Sequence, residues 1–95
     1  MNFRASGEVR DFLRTLAPEP RRAISASLHS IADGSATMEA LREPLEKFYK
    51  VKSGSFRIIC AVQQNTIYAL FVERRSVVYE MANVSLLESI LESVR

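Results

Sequence analysis

The chain of 95 residues holds one cysteine, one histidine, no tryptophan, three glycines and three prolines. Each scarcity excludes something. A lone Cys60 forms no internal disulfide, and its place in an apolar stretch marks it as a small buried hydrophobe. His29 and Cys60 each stand alone, so no ligand cluster at metal spacing exists and no metal or other cofactor is expected. The same isolation leaves His29 without the neighbours of a Ser-His-Asp triad, and it reads as a surface or boundary residue of a helix. Gly7, Gly34 and Gly54 are scattered, which rules out a Gly-rich phosphate loop. No run approaches the roughly 20 apolar residues of a membrane span. Residues 1–6 lack the apolar stretch of a signal peptide, and a cytoplasmic protein that makes no membrane contact is expected.

What is present is ordinary in bulk and uneven in distribution. A hydrophobic content of 47% with 25% charge is that of a globular domain. The length suits one core, so residues 1–95 are read as a single domain. The net charge of +2 hides a strong segregation. Residues 47–79 carry six cations (Lys47, Lys50, Lys52, Arg57, Arg74, Arg75) against Glu73 alone, whereas the segments on either side are net acidic. Such a block suggests a nucleic-acid or phosphate surface, or a seat for an acidic partner.

Taken in order, residues 1–5 suggest a short edge strand. Ser6 is an N-cap candidate with Glu8 in the first turn, and Val9, Phe12, Leu13 and Leu16 recur at helical spacing over 7–16. Pro18 and Pro20 break that helix and open a second, whose stripe of Ala23, Ile24, Ser27, Leu28 and Ile31 ends near Gly34. Arg10, Arg14, Arg21 and Arg22 then point outward from a helical hairpin. Residues 34–46 read as a polar connection anchored by Met38, Leu41 and Leu45, with Pro44 stopping any longer helix. Two strands follow, over 48–52 and 56–62, joined by Ser53-Gly54-Ser55. A third, over 66–72, is apolar enough to be central. Residues 76–79 suggest a last short strand. Asn83 or Ser85 caps a final helix with an apolar stripe of Leu86, Leu87, Ile90, Leu91 and Val94. The order predicts an α+β domain with its helices, an N-terminal helical hairpin and a C-terminal helix, packed on one face of a small antiparallel sheet.

Strand alternation sets the candidate site. Phe48, Lys50 and Lys52 share one face of their strand, and Arg57 stands with Ile59 and Ala61 in the next. The turn allows Arg57 to join the two lysines. Three cations on one face repel one another, an arrangement that makes sense where a polyanion binds. Arg75 and Tyr79, four apart, share a face as well, although Tyr79 also suits a core. Glu73 in this reading either pairs at the surface with its neighbour Arg74 or points away from the site.

These residues resemble a family. Lys50-Val51-Lys52, Gly54-Ser55-Phe56-Arg57-Ile58-Ile59 and Arg74-Arg75-Ser76-Val77-Val78-Tyr79 are similar to the corresponding stretches of the RelE/ParE superfamily, the toxins of bacterial type II toxin–antitoxin systems. The resemblance implies a RelE-like, microbial-ribonuclease-like fold and an antitoxin partner. In the favoured RelE branch it implies a metal-independent endoribonuclease that cuts messenger RNA on the ribosome and leaves a 2′,3′-cyclic phosphate. The family's lysine pair falls on Lys50 and Lys52, its hairpin arginine on Arg57, its last-strand arginine on Arg75 or Arg74, and its tyrosine on Tyr79. The implied roles are Lys52 or Tyr79 as base, Lys50 and Arg57 on the phosphate, and Arg75 or Lys50 at the leaving group. Lys47 and Arg74 extend the RNA surface. Leu87, Ile90, Leu91 and Val94 of the last helix are the contacts an antitoxin helix would take over. Where RelE members often carry a further basic residue, this chain has Glu73. Two other implications stay open: a ParE-like protein that binds DNA gyrase, and a non-catalytic RNA-binding module with salt-sensitive affinity.

Overall fold

Ser6 shows how local chemistry sets the architecture. The computed structural model describes residues 1–74 and 84–95. Its elements are β1 (Asn2–Ala5), α1 (Gly7–Arg14), α2 (Pro18–Ala32), β2 (Glu39–Ala40), β3 (Tyr49–Ser53), β4 (Phe56–Gln63), β5 (Thr66–Arg74) and α3 (Val84–Val94). Ser6 separates β1 from α1 and is fully buried. Its hydroxyl accepts from the Val9 N–H at 3.1 Å, capping α1, and donates to the Leu70 carbonyl at 2.7 Å. Its own N–H donates to the Ala69 carbonyl at 2.9 Å. One side chain therefore starts the first helix and fastens it to the central strand. Ser6→Ala is expected to lose about 2 kcal/mol, more than an exposed cap alone, because it also orphans a buried carbonyl; urea unfolding measures it.

The sheet runs in the order β1-β5-β4-β3-β2. All pairs are antiparallel except β1, which lies parallel to β5. The sheet is therefore mixed, where an antiparallel one was expected. Ser6 holds β1 alongside β5, and no hairpin turn constrains its direction. Both tight turns have two-residue loops in suitable backbone conformations. Gly54 takes a φ of 59° between paired Ser53 and Phe56. Gln64 and Asn65 take φ of 49° and 59° between Gln63 and Thr66, the double left-handed signature of a type I′ turn.

Helices cover both faces of the sheet. On one, α1 and α2 bury Val9, Leu16, Ile24 and Ile31 against Val51, Phe56, Ile58, Cys60, Ile67, Ala69 and Val72. On the other, Leu87, Ile90 and Leu91 of α3 join Leu41, Leu45, Phe48, Ile59, Ala61, Tyr68 and Leu70. This corrects the expectation of helices on a single face. The physical reason lies in β4 and β5, whose runs 58–61 and 66–70 are buried on both sides and need two covers. The connection after α2 also contributes β2, a two-residue strand on the outer edge of β3. Ser85 lies inside α3 and does not cap it. The last short strand expected at 76–79 and the cap candidate Asn83 lie outside the described residues.

A bulge gives β5 its final orientation. Cys60 pairs with Ala69 and Ile59 with Phe71, so Leu70 is an extra residue in the ladder. Leu70 and Phe71 consequently both serve the α3 face. Every residue after them changes sides relative to simple alternation.

Candidate functional site: a charged rung at the hairpin end of the sheet

Lys52 of β3, Arg57 of β4 and Glu73 of β5 are direct neighbours across three strands. Lys50 lies two residues from Lys52, opposite Ile59 on one side and Glu39 of β2 on the other. The sequence-predicted face of Lys50, Lys52 and Arg57 is thus formed. It lies on the α3 side of the sheet, since Arg57 shares its strand face with Ile59 and Ala61.

The face is not the bare cationic cluster expected from the sequence. Glu39 approaches Lys52, with Nζ to Oε1 at 3.9 Å and both side chains about half exposed. That pair is worth little by itself. The other pair is of a different kind. Arg57 Nη2 lies 3.4 Å from Glu73 Oε1, with side-chain exposures of 11% and 3%. Among the described residues, neither Glu73 carboxylate oxygen accepts a hydrogen bond. Burial pushes the Glu73 carboxyl above its ordinary range, and the adjacent Arg57 charge pulls it partly back.

The pairing of Glu73 with Arg74 is corrected. Arg74 lies on the α1–α2 side, its guanidinium carbon 5.0 Å from the Phe56 ring centroid. Phe56 in turn meets Phe12 edge-on at 5.8 Å. Adjacent strand residues face opposite ways, and the Leu70 bulge turns Glu73 toward Arg57 and Arg74 toward Phe56. Sequence reasoning missed Glu39, because a two-residue strand leaves no periodic signal. It also missed the hydroxyl contact of Ser27 with Ser53 at 2.7 Å, which joins α2 to the end of β3.

The remaining candidates separate from this rung. Lys47 precedes β3 and lines a cleft of about 440 Å³ with Phe48, Glu88, Leu91, Glu92 and Arg95. Leu87, Ile90 and Leu91 are buried beneath α3, and Val94 is half-buried beside them. Arg75 and Tyr79 lie outside the described residues. Among the described residues no three His, Cys, Asp or Glu side chains come together as a metal site requires, and no helix is long and apolar enough to cross a membrane.

A chain of the toxin–antitoxin complex RelBE2 from Mycobacterium tuberculosis superposes on this fold with a TM-score of 0.68. The chain has a RelE-like fold. The match covers 78% of this chain and 96% of that one at 19% identity. No protein-family model and no curated protein matches the sequence. Within the RelE-like fold, three of the candidate cations, Lys50, Lys52 and Arg57, share one face. Arg74 stands on the other, and Lys47 belongs to the α3 cleft.

Proposed function

We propose that the chain is the toxin of a type II toxin–antitoxin pair, a cytoplasmic endoribonuclease that cuts messenger RNA on the ribosome. The observation that carries this reading is the placement of Lys50, Lys52 and Arg57 on neighbouring strands of one face, together with the RelE-like fold. Cleavage through the 2′-hydroxyl needs a base, a stabiliser of the phosphorane and an acid for the 5′-oxygen. Lys50 and Arg57 hold the phosphate. Lys52 or Tyr79 takes the proton, and Arg75 or Lys50 assists the leaving group. Arginine does not deprotonate under these conditions, so Arg57 and Arg75 act only electrostatically. The antitoxin silences the toxin by displacing α3 and taking over the contacts of Leu87, Ile90, Leu91 and Val94.

The test is to induce wild type and Lys52→Ala and to map messenger RNA 5′ ends by primer extension. Cuts within translated regions are expected, with Lys52→Ala slower by on the order of 10²–10⁴, the contribution of a general base. Intact messages during growth arrest would overturn the reading. A second reading, a protein that binds DNA gyrase and performs no RNA chemistry, is favoured by one observation. Arg57 already has a buried anionic partner in Glu73. Inhibited supercoiling by the purified protein, with messages uncut, would establish it.

A further inference from the structure

A buried carboxylate ends the rung that carries Lys52 and Arg57. Glu73 is 4% exposed, is aimed at Arg57, and accepts no hydrogen bond among the described residues. A purely structural ion pair of this burial is ordinarily reinforced by further hydrogen bonds to the carboxylate, because Coulomb attraction alone does not offset the desolvation of both charges. Here the contact is a single Nη2–Oε1 approach of 3.4 Å, long for a charge-assisted hydrogen bond. The partner stands between Lys52 and Glu73 on the rung, beside the more exposed cation of the same face.

We infer that Glu73 is a resident anion of the RNA site: it holds Arg57 on the face in the free protein and competes with the RNA phosphate for it. The inference rests on the reading of this face as an RNA surface and names the group that sets its affinity. Glu73 acts through Arg57 and is a positioning residue. When phosphate takes Arg57, the carboxylate loses its cation inside the protein, and a buried carboxylate without a cation takes up a proton. Among the described residues, the charged groups on this face of the neighbouring strands are Arg57 on β4, Lys50 and Lys52 on β3 and Glu39 on β2. Of these, only Arg57 is in ion-pair contact with Glu73. RNA binding by the wild type is therefore coupled to proton uptake.

The test uses a 2′-O-methyl tetranucleotide, which carries the phosphates but has no 2′-hydroxyl with which to be cut. Glu73→Gln, which keeps shape and removes charge, is expected to bind it about tenfold more tightly than wild type, the effect of one charge-assisted contact. Calorimetry of the wild type in buffers of different ionisation enthalpy reads the second consequence without a variant. Net proton uptake on binding is expected, and Glu73→Gln abolishes it. Equal or weaker binding by a folded Glu73→Gln protein, or binding by wild type with no proton uptake, would overturn the inference. A structural role alone moves the unfolding midpoint but neither affinity nor proton count. The two proposals fail separately. Tighter binding and proton uptake without message cleavage would sink the ribonuclease and keep the competing anion. Message cleavage with unchanged binding in Glu73→Gln would do the reverse.

Discussion

Arg57→Met is expected to destabilise the domain by about 3 kcal/mol, the cost of leaving one member of a buried ion pair uncompensated. Glu73, at 3% side-chain exposure, has no other cation in ion-pair contact among the described residues. Adding Glu73→Leu should recover most of that loss, because two apolar side chains of similar volume replace two desolvated charges. Losses that simply add in the double variant, measured by urea unfolding, would show that the two residues are not energetically coupled. The effect depends on pH in a defined direction. The folded Glu73 carboxyl is held above its ordinary value of 4.5, so the folded state keeps its proton to higher pH than the unfolded chain does. Stability from this group is therefore greatest below about 4.5 and declines as pH rises through the raised folded value. Removing Arg57 takes away the influence that lowers the carboxyl, so the decline extends further upward. The deficit of Arg57→Met is smallest in acid and grows toward neutrality.

The second large effect lies under α3. Leu87 is fully buried against a core that includes Ile59, Tyr68 and Leu70. Leu87→Ala is expected to cost about 3 kcal/mol through lost transfer energy and the cavity left behind. The neighbouring Leu86, 39% exposed, supplies the control, and Leu86→Ala should change stability by less than about 1 kcal/mol. Equal effects at the two positions would show that α3 does not present this face to the sheet. The same variant tests the proposed displacement of α3 by an antitoxin helix. If an antitoxin helix takes the place of α3, weakening the hold of α3 must strengthen antitoxin binding, since the competing intramolecular contacts are poorer. Leu87→Ala with unchanged or weaker antitoxin affinity would instead place the antitoxin elsewhere.

Much of this arrangement is readable from residue order. The Ser6 cap, the Pro18 start of α2, the Gly54 turn and most of the apolar stripes of α2 and α3 are local features that appear where their spacing puts them, although Ala23 and Leu86, expected in those stripes, are exposed. The face shared by Lys50, Lys52 and Arg57 follows from alternation plus a two-residue turn, both of which are short-range. The apolar run of β5 marked it as a central strand, but the burial of β4 and β5 on both sides, with a helix on each face, depends on how distant elements pack.

What the sequence by itself determined is therefore the three helices, the strands β3 to β5, the hairpin register and the shared face of Lys50, Lys52 and Arg57, because these depend on period, turn chemistry and caps acting within a few residues. Tertiary structure alone decided three things. It laid β1 parallel to β5 through the Ser6 contacts with Ala69 and Leu70. It brought Glu39 to Lys52 across a strand too short to announce itself. And it inserted the Leu70 bulge, which turned Arg74 onto Phe56 and Glu73 onto Arg57. A one-residue slip in a ladder reverses every side chain beyond it, and no period in the sequence records where the slip occurs.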